Sequence, residues 1–452
     1  MNRPTRMREW SAQARRDRPA GCEGALLISG ARVLDPASGL DAVTPVLLQN
    51  GVVAAIGAQA ARQPAQCSIE ADGCWLTPGL VDLCARFREP GQTHKASFAS
   101  EARAALASGI THVLIPPDTQ PVIDTPAMML RLQRIADQSG AGLGVHGLGA
   151  LTRDLAGEAL AELSALKAAG AVGASNGLAP VRDSRIARRA LEYAKGLDLP
   201  VHVFAQDPAL ASGGCAHEGP VATRLGLAPV PVAAEVAALR YWISLVEDTG
   251  ARVHFCRLST ARGAELVASA QQRRLPVSAD VAAHQLHLTD VDVDGFDARC
   301  HVVPPLRSRE DRDALRAAVR DGVVQAICSD HQPHEADAKI NPFPLTEPGI
   351  SGLETLLPLT LALVHEDRLA PLDAVARLTT GPAAIAGIAA GRIALGEPAD
   401  LALIDPRCEW TLRTETLLSA GRNTPFAGRT MRGRVLRCFS RGVEAFAATA
   451  PA

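Results

Sequence analysis

The sequence predicts an α/β protein: a (β/α)8 barrel of the TIM type that carries a small composite β-domain built from both ends of the chain. Three observations lead there. A chain of 452 residues is too long for one ordinary core and suits a barrel-sized domain with a smaller companion. Its middle alternates eight short apolar runs with helical stretches, the pattern of right-handed βαβ units. Its two ends share another texture, short β-prone runs broken by Gly, Pro, Asp and Asn.

In chain order, residues 1–23 form a basic extension with six arginines among the first twenty positions. It lacks the apolar run of a secretory signal, so a disordered leader is expected ahead of a transit segment, and Met7 is a second conceivable start. Residues 24–77, from "GALLISGARVLDPASG" through "GVVAAIGAQ", read as hairpins. They are expected to join residues 388–446, where "GRIALGEPADLALIDP" and "MRGRVLRCFSRGVEAF" repeat the strand-and-turn character. Between them, residues 78–387 hold the eight barrel strands: "GLVDLCAR", "THVLIPP", "GLGVHGLG", "GAVGAS", "PVHVFAQ", "RVHFCRLS", "LPVSADV" and "VVQAICSD". Amphipathic segments such as "HKASFASEARAALASG" and "AGEALAELSALKAAG" separate them. A doubly wound open sheet is the alternative, but no G-x-G-x-x-G loop follows the first strand.

Composition excludes several classes of function. With 47% apolar residues, 21% charged residues and a net charge of -2, nothing pulls the chain toward nucleic acid or an anionic membrane surface. Aromatics at 3% leave little material for stacking bases, and no apolar run is long enough to span a bilayer. Ten cysteines without a CxxC pair suit reduced thiols and a cytoplasmic location better than a disulfide framework.

Barrel active sites lie at the C-terminal strand ends, so the residues closing each run carry the functional argument. In order, "TPGLVDL...REPG", "PPDTQPVID", "EGPVATRLGL", "PPLRSREDRDAL", "SDHQPHE", "GISGLET" and "NTPFAG" resemble the dihydroorotases of the amidohydrolase superfamily over nearly the whole chain. The resemblance implies the same barrel and composite β-domain. It also implies an ancestral reaction, reversible hydrolysis of the dihydroorotate ring amide to carbamoyl aspartate by hydroxide on a zinc centre. Zinc uses three or four N, O or S donors and lowers the pKa of its water to about 7.

Against that pattern the site is depleted. Where the family carries His-x-His on the first strand, this chain has Cys84 and Arg86. The histidines expected after the fifth and sixth strands are Phe204 and Arg257, and the bridging carboxylate or carboxylated lysine falls at Asn176. Asp330 alone survives from the metal-and-base set. Arg88 remains where the family grips a carboxylate, while Asp118 replaces the usual asparagine and would repel an anion unless paired or protonated. Other arrangements were weighed: a mononuclear site rebuilt from Cys84, Asp330 and His202; ligation by His331 and His334 or by His284 and His287, for which surface, loop or half-buried roles are the better reading; and Cys84 as a nucleophile, which lacks an evident base.

The expectation is a catalytically silent dihydroorotase-like chain in which zinc is lost and Arg86 or Arg257 pairs with Asp330. The resemblance implies a partner as well, because inactive dihydroorotase-like chains similar to this one serve as noncatalytic subunits with aspartate transcarbamoylase. The basic segment from Arg3 to Arg18 is one candidate contact arm. The rivals are an active cyclic-amide hydrolase with an atypical mononuclear or metal-free site, and an anion-sensing module using Arg88 with Arg86 or Arg257.

Overall fold

A computed structural model of the chain describes residues 24–448. The basic extension at 1–23, with its proposed contact arm, lies outside the described residues.

All eight expected runs are strands of one parallel sheet whose spatial order follows the sequence: Leu80–Asp82, Ile110–Ile115, Gly144–Ala150, Gly173–Ser175, Val201–Val203, Val253–Phe255, Val277–Ala282 and Ala326–Cys328. The interleaved helices start where the sequence supplies caps. Ser97, Asp183, Thr260 and Ser308 each accept a backbone N–H of the helix that follows, satisfying donors the first turn leaves open. The helix Arg309–Arg320 shows the economy of the pattern, burying Leu315, Ala318 and Val319 and leaving Arg309 and Arg320 exposed.

Closure between the first and eighth strands is the point at which the ladder needs help. No continuous backbone pairing joins Leu80–Asp82 to Ala326–Cys328; instead the fully buried Asp82 carboxylate accepts from Ser329 N at 2.9 Å, from the Ser329 hydroxyl, and from Cys84 N at 3.4 Å. Just beyond, Arg86 N donates to His331 O at 2.9 Å and His331 N to Cys84 O at 3.2 Å, a short parallel bridge between Ala85 and His331. The seam therefore runs straight into the strand ends that form the mouth.

The composite β-domain is two sheets. One orders Val52–Ile56, Val46–Gln49, Leu26–Ser29 and Cys67–Glu70; the other orders Val443–Ala447, Thr430–Ser440, Leu401–Thr411, Trp75–Pro78, Arg32–Asp35 and Leu40–Val43. Trp75–Pro78 pairs antiparallel with Leu401–Ile404 on one side and parallel with Arg32–Val33 on the other, so both chain ends meet on the strand that leads into the barrel. Part of the C-terminal segment goes elsewhere. Residues 418–423, between the two eleven-residue strands, reach the barrel mouth: His334 N donates to Asn423 Oδ1, and Asn423 Nδ2 donates to Gln332 O and Gly349 O. Gly421 permits the approach, since a Cβ there would sit 2.5 Å from Pro333 Cβ.

Eight of the cysteines are free thiols, but Cys67 is disulfide-bonded, which corrects the expectation of a wholly reduced set. Among the described residues no helix is long and apolar enough to cross a membrane.

The seam predicts a pH signature. Burial pushes the Asp82 carboxyl up to about 7, against the pull of the Ser329 donors. Its folded-state value lies above that of the unfolded chain, so its contribution favours the folded state in mild acid and is lost as pH rises toward 7. Asp82→Asn keeps an acceptor for Ser329 N and has no charge to bury, so its stability relative to wild type should improve between pH 5 and pH 8. Asp82→Ala strands two N–H groups and should cost roughly 3 kcal/mol at either pH. Denaturant unfolding of the three chains at both pH values measures this.

Candidate functional site

The mouth is built around Asp330, which is buried to 1% exposure. Two guanidinium groups converge on its Oδ1: Arg86 Nη1 at 3.4 Å and Arg257 Nη1 at 3.5 Å. Both expected partners are therefore present at once. The Cys84 thiol sits among them, 3.5 Å from Asp330 Oδ1, with Arg257 Nη1 donating to its Sγ at 3.0 Å. Gln332 Nε2 reaches both Asp330 oxygens at 3.4 Å.

Asp118 completes the charge balance. Arg86 Nε donates to its Oδ2 at 2.9 Å, and Nη2 lies 2.8 Å from the same oxygen. The pairing under which Asp118 would not repel an anion is present: it is a counterion, and two carboxylates face two guanidiniums. Arg257 also stacks on Phe204, its guanidinium carbon 4.9 Å from the ring centroid. Burial works against the charge on each arginine, yet the neighbouring acids outweigh it and hold both above the ordinary guanidinium range; for Arg86 the strongest support comes from Asp118, for Arg257 from Asp330.

The backbone enforces this convergence. Arg257 (φ 54°), Asp330 (φ 43°) and Arg88 (φ 62°) all occupy the left-handed region, at a typical cost of about 1–3 kcal/mol each unless the surroundings fix them. For Arg257 the fixing groups are visible. Its N–H donates to the buried Asp280 carboxylate, and two and three positions further on the chain is clamped by Glu235, which accepts from the backbone N–H and the hydroxyl of both Ser259 and Thr260. Arg307 of "PPLR" then donates to Ser259 Oγ and Val230 O and lies 3.2 Å from Nδ1 of His217, the residue before the "EGP" block.

The remaining candidates do not assemble as ligands. Asn176 is spent on structure: its Oδ1 accepts from Thr152 Oγ1 and its Nδ2 donates to Leu155 O and Ala179 O. His331 lies in the loop after the eighth strand, as expected, but is fully buried and not a surface group; Gly352 N donates to Nδ1, and Nε2 donates to Glu101 at 2.8 Å. His334 lies 3.0 Å from Arg88 Nη2 and 3.2 Å from Lys95 Nζ. His287 contacts Leu359 O, whereas His284 is buried beside Asp330 and Arg257, corrects the half-buried expectation, and has an unpartnered Nε2. Arg88 meets only neutral partners directly, Pro333 O, Gln92 Oε1 and His334, and burial lowers its pKa to about 10.

His202 does not join Cys84 and Asp330. It groups instead with His254 and Cys256, whose donor atoms lie within 4.8 Å of one another, the group of that kind found among the described residues. Both nitrogens of His254 are engaged, Nε2 donating to Asp280 at 2.9 Å and Nδ1 lying 2.9 Å from Ser278 Oγ, so a metal there would have to break one of these bonds. At the former zinc positions the donor set does not fit a metal. Arg86, Arg257, Phe204 and Asn176 offer no anionic or imidazole ligand, and burial pushes the Cys84 thiol up to about 12 despite Arg257 and Arg86, which also removes the thiolate a nucleophile needs. The cavity among Arg86, Arg88 and Asp118 is about 10 Å³, room for roughly one water.

A parallel eight-stranded barrel closed by a β-domain from both termini, with its polar cluster at the C-terminal strand ends, is the architecture of an amidohydrolase. Residues 75–444 match the amidohydrolase family, and the chain belongs to it. Within it the chain belongs to the dihydroorotase family. It is 52% identical over 409 residues to a dihydroorotase-like protein of Pseudomonas aeruginosa, covering 90% of this chain and 96% of that one. It is 43% identical over 412 residues to a dihydroorotase of Anaeromyxobacter dehalogenans, covering 90% and 95%. The fold also matches an L-hydantoinase (dihydropyrimidinase) from Arthrobacter aurescens, with a TM-score of 0.84 at 24% identity over 93% of this chain and 96% of that one.

Sequence reasoning missed the Arg86–Asp118 pair, the Gln332 contact and the Glu235 clamp. The "ST" after Arg257 was a usable signal for the clamp; Gln332 carried none.

Removing one partner of a buried ion pair typically costs about 3–5 kcal/mol. Asp330→Asn should fall in that range, because it strips the shared counterion from Arg86 and Arg257. Asp118→Asn should cost less, since its carboxylate is 25% exposed and water can compensate. Denaturant midpoints of the two variants rank them.

Proposed function

We propose that this chain is a catalytically silent member of the dihydroorotase family that acts as a noncatalytic assembly subunit with aspartate transcarbamoylase. The observation that carries the silent half is the Arg86–Asp330–Arg257 cluster: the positions at which the family holds zinc are occupied by cations paired to the surviving carboxylate. Without metal-bound hydroxide, attack on a ring amide at neutral pH has no nucleophile here, as Cys84 is a buried thiol. The 52% identity to a protein whose name is dihydroorotase-like supports the same reading. The assembly half rests on the resemblance to inactive chains of that kind and on a fold kept whole around an altered mouth. A soluble cytoplasmic setting follows from the proposal.

A second reading takes Arg88 as an anion sensor, favoured by its neutral partners. A cavity of about 10 Å³ is far below the few hundred Å³ of ordinary small-molecule sites, so it ranks behind.

Elemental analysis of the purified chain should find less than stoichiometric zinc, and a dihydroorotate assay should give only background turnover. Restoring histidine at 84, 86, 204 and 257 together should still give no activity, because Asn176 supplies no bridging carboxylate or lysine. One tightly held zinc or turnover above background in wild type overturns the silent reading, and a revived quadruple variant overturns the part assigned to Asn176.

For the partner, size-exclusion chromatography with light scattering on this chain co-expressed with the aspartate transcarbamoylase catalytic chain should show one complex, and omitting this chain should alter the transferase's assembly or activity. Separate elution at micromolar concentration, with a transferase equally assembled and active alone, ends the assembly reading.

A further inference from the structure

The strands Val201–Val203 and Val253–Phe255, which run up to Phe204 and Arg257, carry a second cluster one step deeper in the barrel. They pair in parallel with His202 opposite His254, and the two rings meet with centroids 5.0 Å apart. Both histidines are 1% exposed. The thiol of Cys256, two positions beyond His254, joins them, so that donor atoms of all three side chains lie within 4.8 Å of one another. Two imidazoles and a thiol are the donor set of a soft metal ion.

Each donor can be freed at small cost. The buried Nε2 of His202 makes no hydrogen bond, a state native structures seldom keep. Burial and the neighbouring His254 lower the His202 pKa to about 3, so the ring is neutral and presents a lone pair without giving up a bond at Nε2. His254 sits between Asp280, which accepts from Nε2 at 2.9 Å, and Ser278, whose Oγ lies 2.9 Å from Nδ1. A hydroxyl both donates and accepts, so the ring can take either neutral tautomer and keep one of these bonds while the other nitrogen turns to a cation. Metal-bound imidazoles are oriented in this way by the bond at their second nitrogen. Cys256 is a free, partly exposed thiol, which gives an ion a way in.

Charge and coordination number narrow the ion. A monovalent cation that replaces the Cys256 proton, with that proton released to solvent, leaves the net charge of the cluster as it was. A divalent ion adds a positive charge in a buried space where Arg257, the next residue, already carries one. Zinc also takes four ligands in a closed site, and the group among the described residues has three members.

We propose that His202, His254 and Cys256 form a three-donor site for a soft monovalent cation of the copper(I) class. The site is separate from the former zinc positions at the strand ends and stands whether or not the chain is catalytically silent.

Copper(I) itself is the probe, titrated without oxygen into the full chain against the chelator bicinchoninate, with X-ray absorption on the loaded protein. The chain should withdraw one copper(I) from the chelator, and its first shell should hold two nitrogens and one sulfur. Losing an outer-shell partner alone typically costs roughly 10–100-fold in metal affinity, so Cys256→Ser, which removes a ligand, should weaken binding by at least about 100-fold. His202→Leu should weaken it by at least about tenfold with the circular dichroism unchanged. Cys408→Ser, at a partly exposed thiol away from the cluster, should bind as wild type does. Failure to withdraw copper(I), an all-sulfur shell, or a Cys256→Ser chain that binds as tightly as wild type would overturn the site. Zinc held in preference to copper(I), and lost in Cys256→Ser, would overturn its assignment to a monovalent ion. The first shell of the wild-type protein decides the question if either cluster variant does not fold.

Discussion

Two guanidinium groups buried beside one buried carboxylate set the terms for the rest of the mouth. Taking an ion out of water costs several kcal/mol even after relaxation, so Arg86 and Arg257 persist at 6% and 4% exposure only because countercharge and packing meet them there. Asp330 serves both, Asp118 takes the open side of Arg86, and Phe204 offers its ring to Arg257. In the dihydroorotase pattern positive charge at this place comes from zinc. Here it comes from the side chains at two former ligand positions, which explains why Asp330 is retained: it neutralises a cation in either case.

The surrounding scaffold holds these charges in place through bonds of its own. A ring of buried carboxylates ties the strand ends by accepting backbone N–H groups: Asp82 across the barrel seam, Asp280 under Arg257, Glu235 on Ser259 and Thr260, and Glu101 on Ala420. Burial raises the cost of charging each, but the donors decide the outcome differently at each site. His254 and the Arg257 N–H bring Asp280 below the usual carboxylate range, and His331 does the same for Glu101. These ties hold Arg257 and Asp330 in left-handed backbone that was shaped for ligands and is now filled by an ion cluster.

The fold was legible because its signals are local and repeated. Eight apolar runs separated by capped amphipathic helices leave few alternatives, and the shared texture of the two termini put them in one β-domain, although only the structure places Trp75–Pro78 between them. The site was half legible. Cys84, Arg86, Phe204 and Arg257 announce a lost ligand set by identity alone, and Asp330 had to find a cation. Asp118 was left conditional on a partner, because a sequence shows the residue's charge and not the Arg86 guanidinium that reaches it from another strand. The loop 418–423 was assigned with its flanking strands for the same reason: only the folded chain brings Asn423 to Gln332 and Gly349. The disulfide at Cys67 is the plainest failure, since spacing within the chain carries no hint of it.

The ion cluster also bears on how such a site changes further. Converting Arg257 to histidine removes a countercharge from Asp330 and a stacking partner from Phe204, while Arg86 still stands where a second ligand is needed. Converting Arg86 leaves Asp118 and Asp330 facing the mouth with one cation between them. Either single step creates a buried charge imbalance before any metal site exists to repay it, and neither adds the missing ligand at Asn176, whose amide is committed to Thr152, Leu155 and Ala179. The intermediate states are therefore less stable than both ends. Interlocked pairing of this kind ties each arginine to a carboxylate that a single substitution would leave short of a partner.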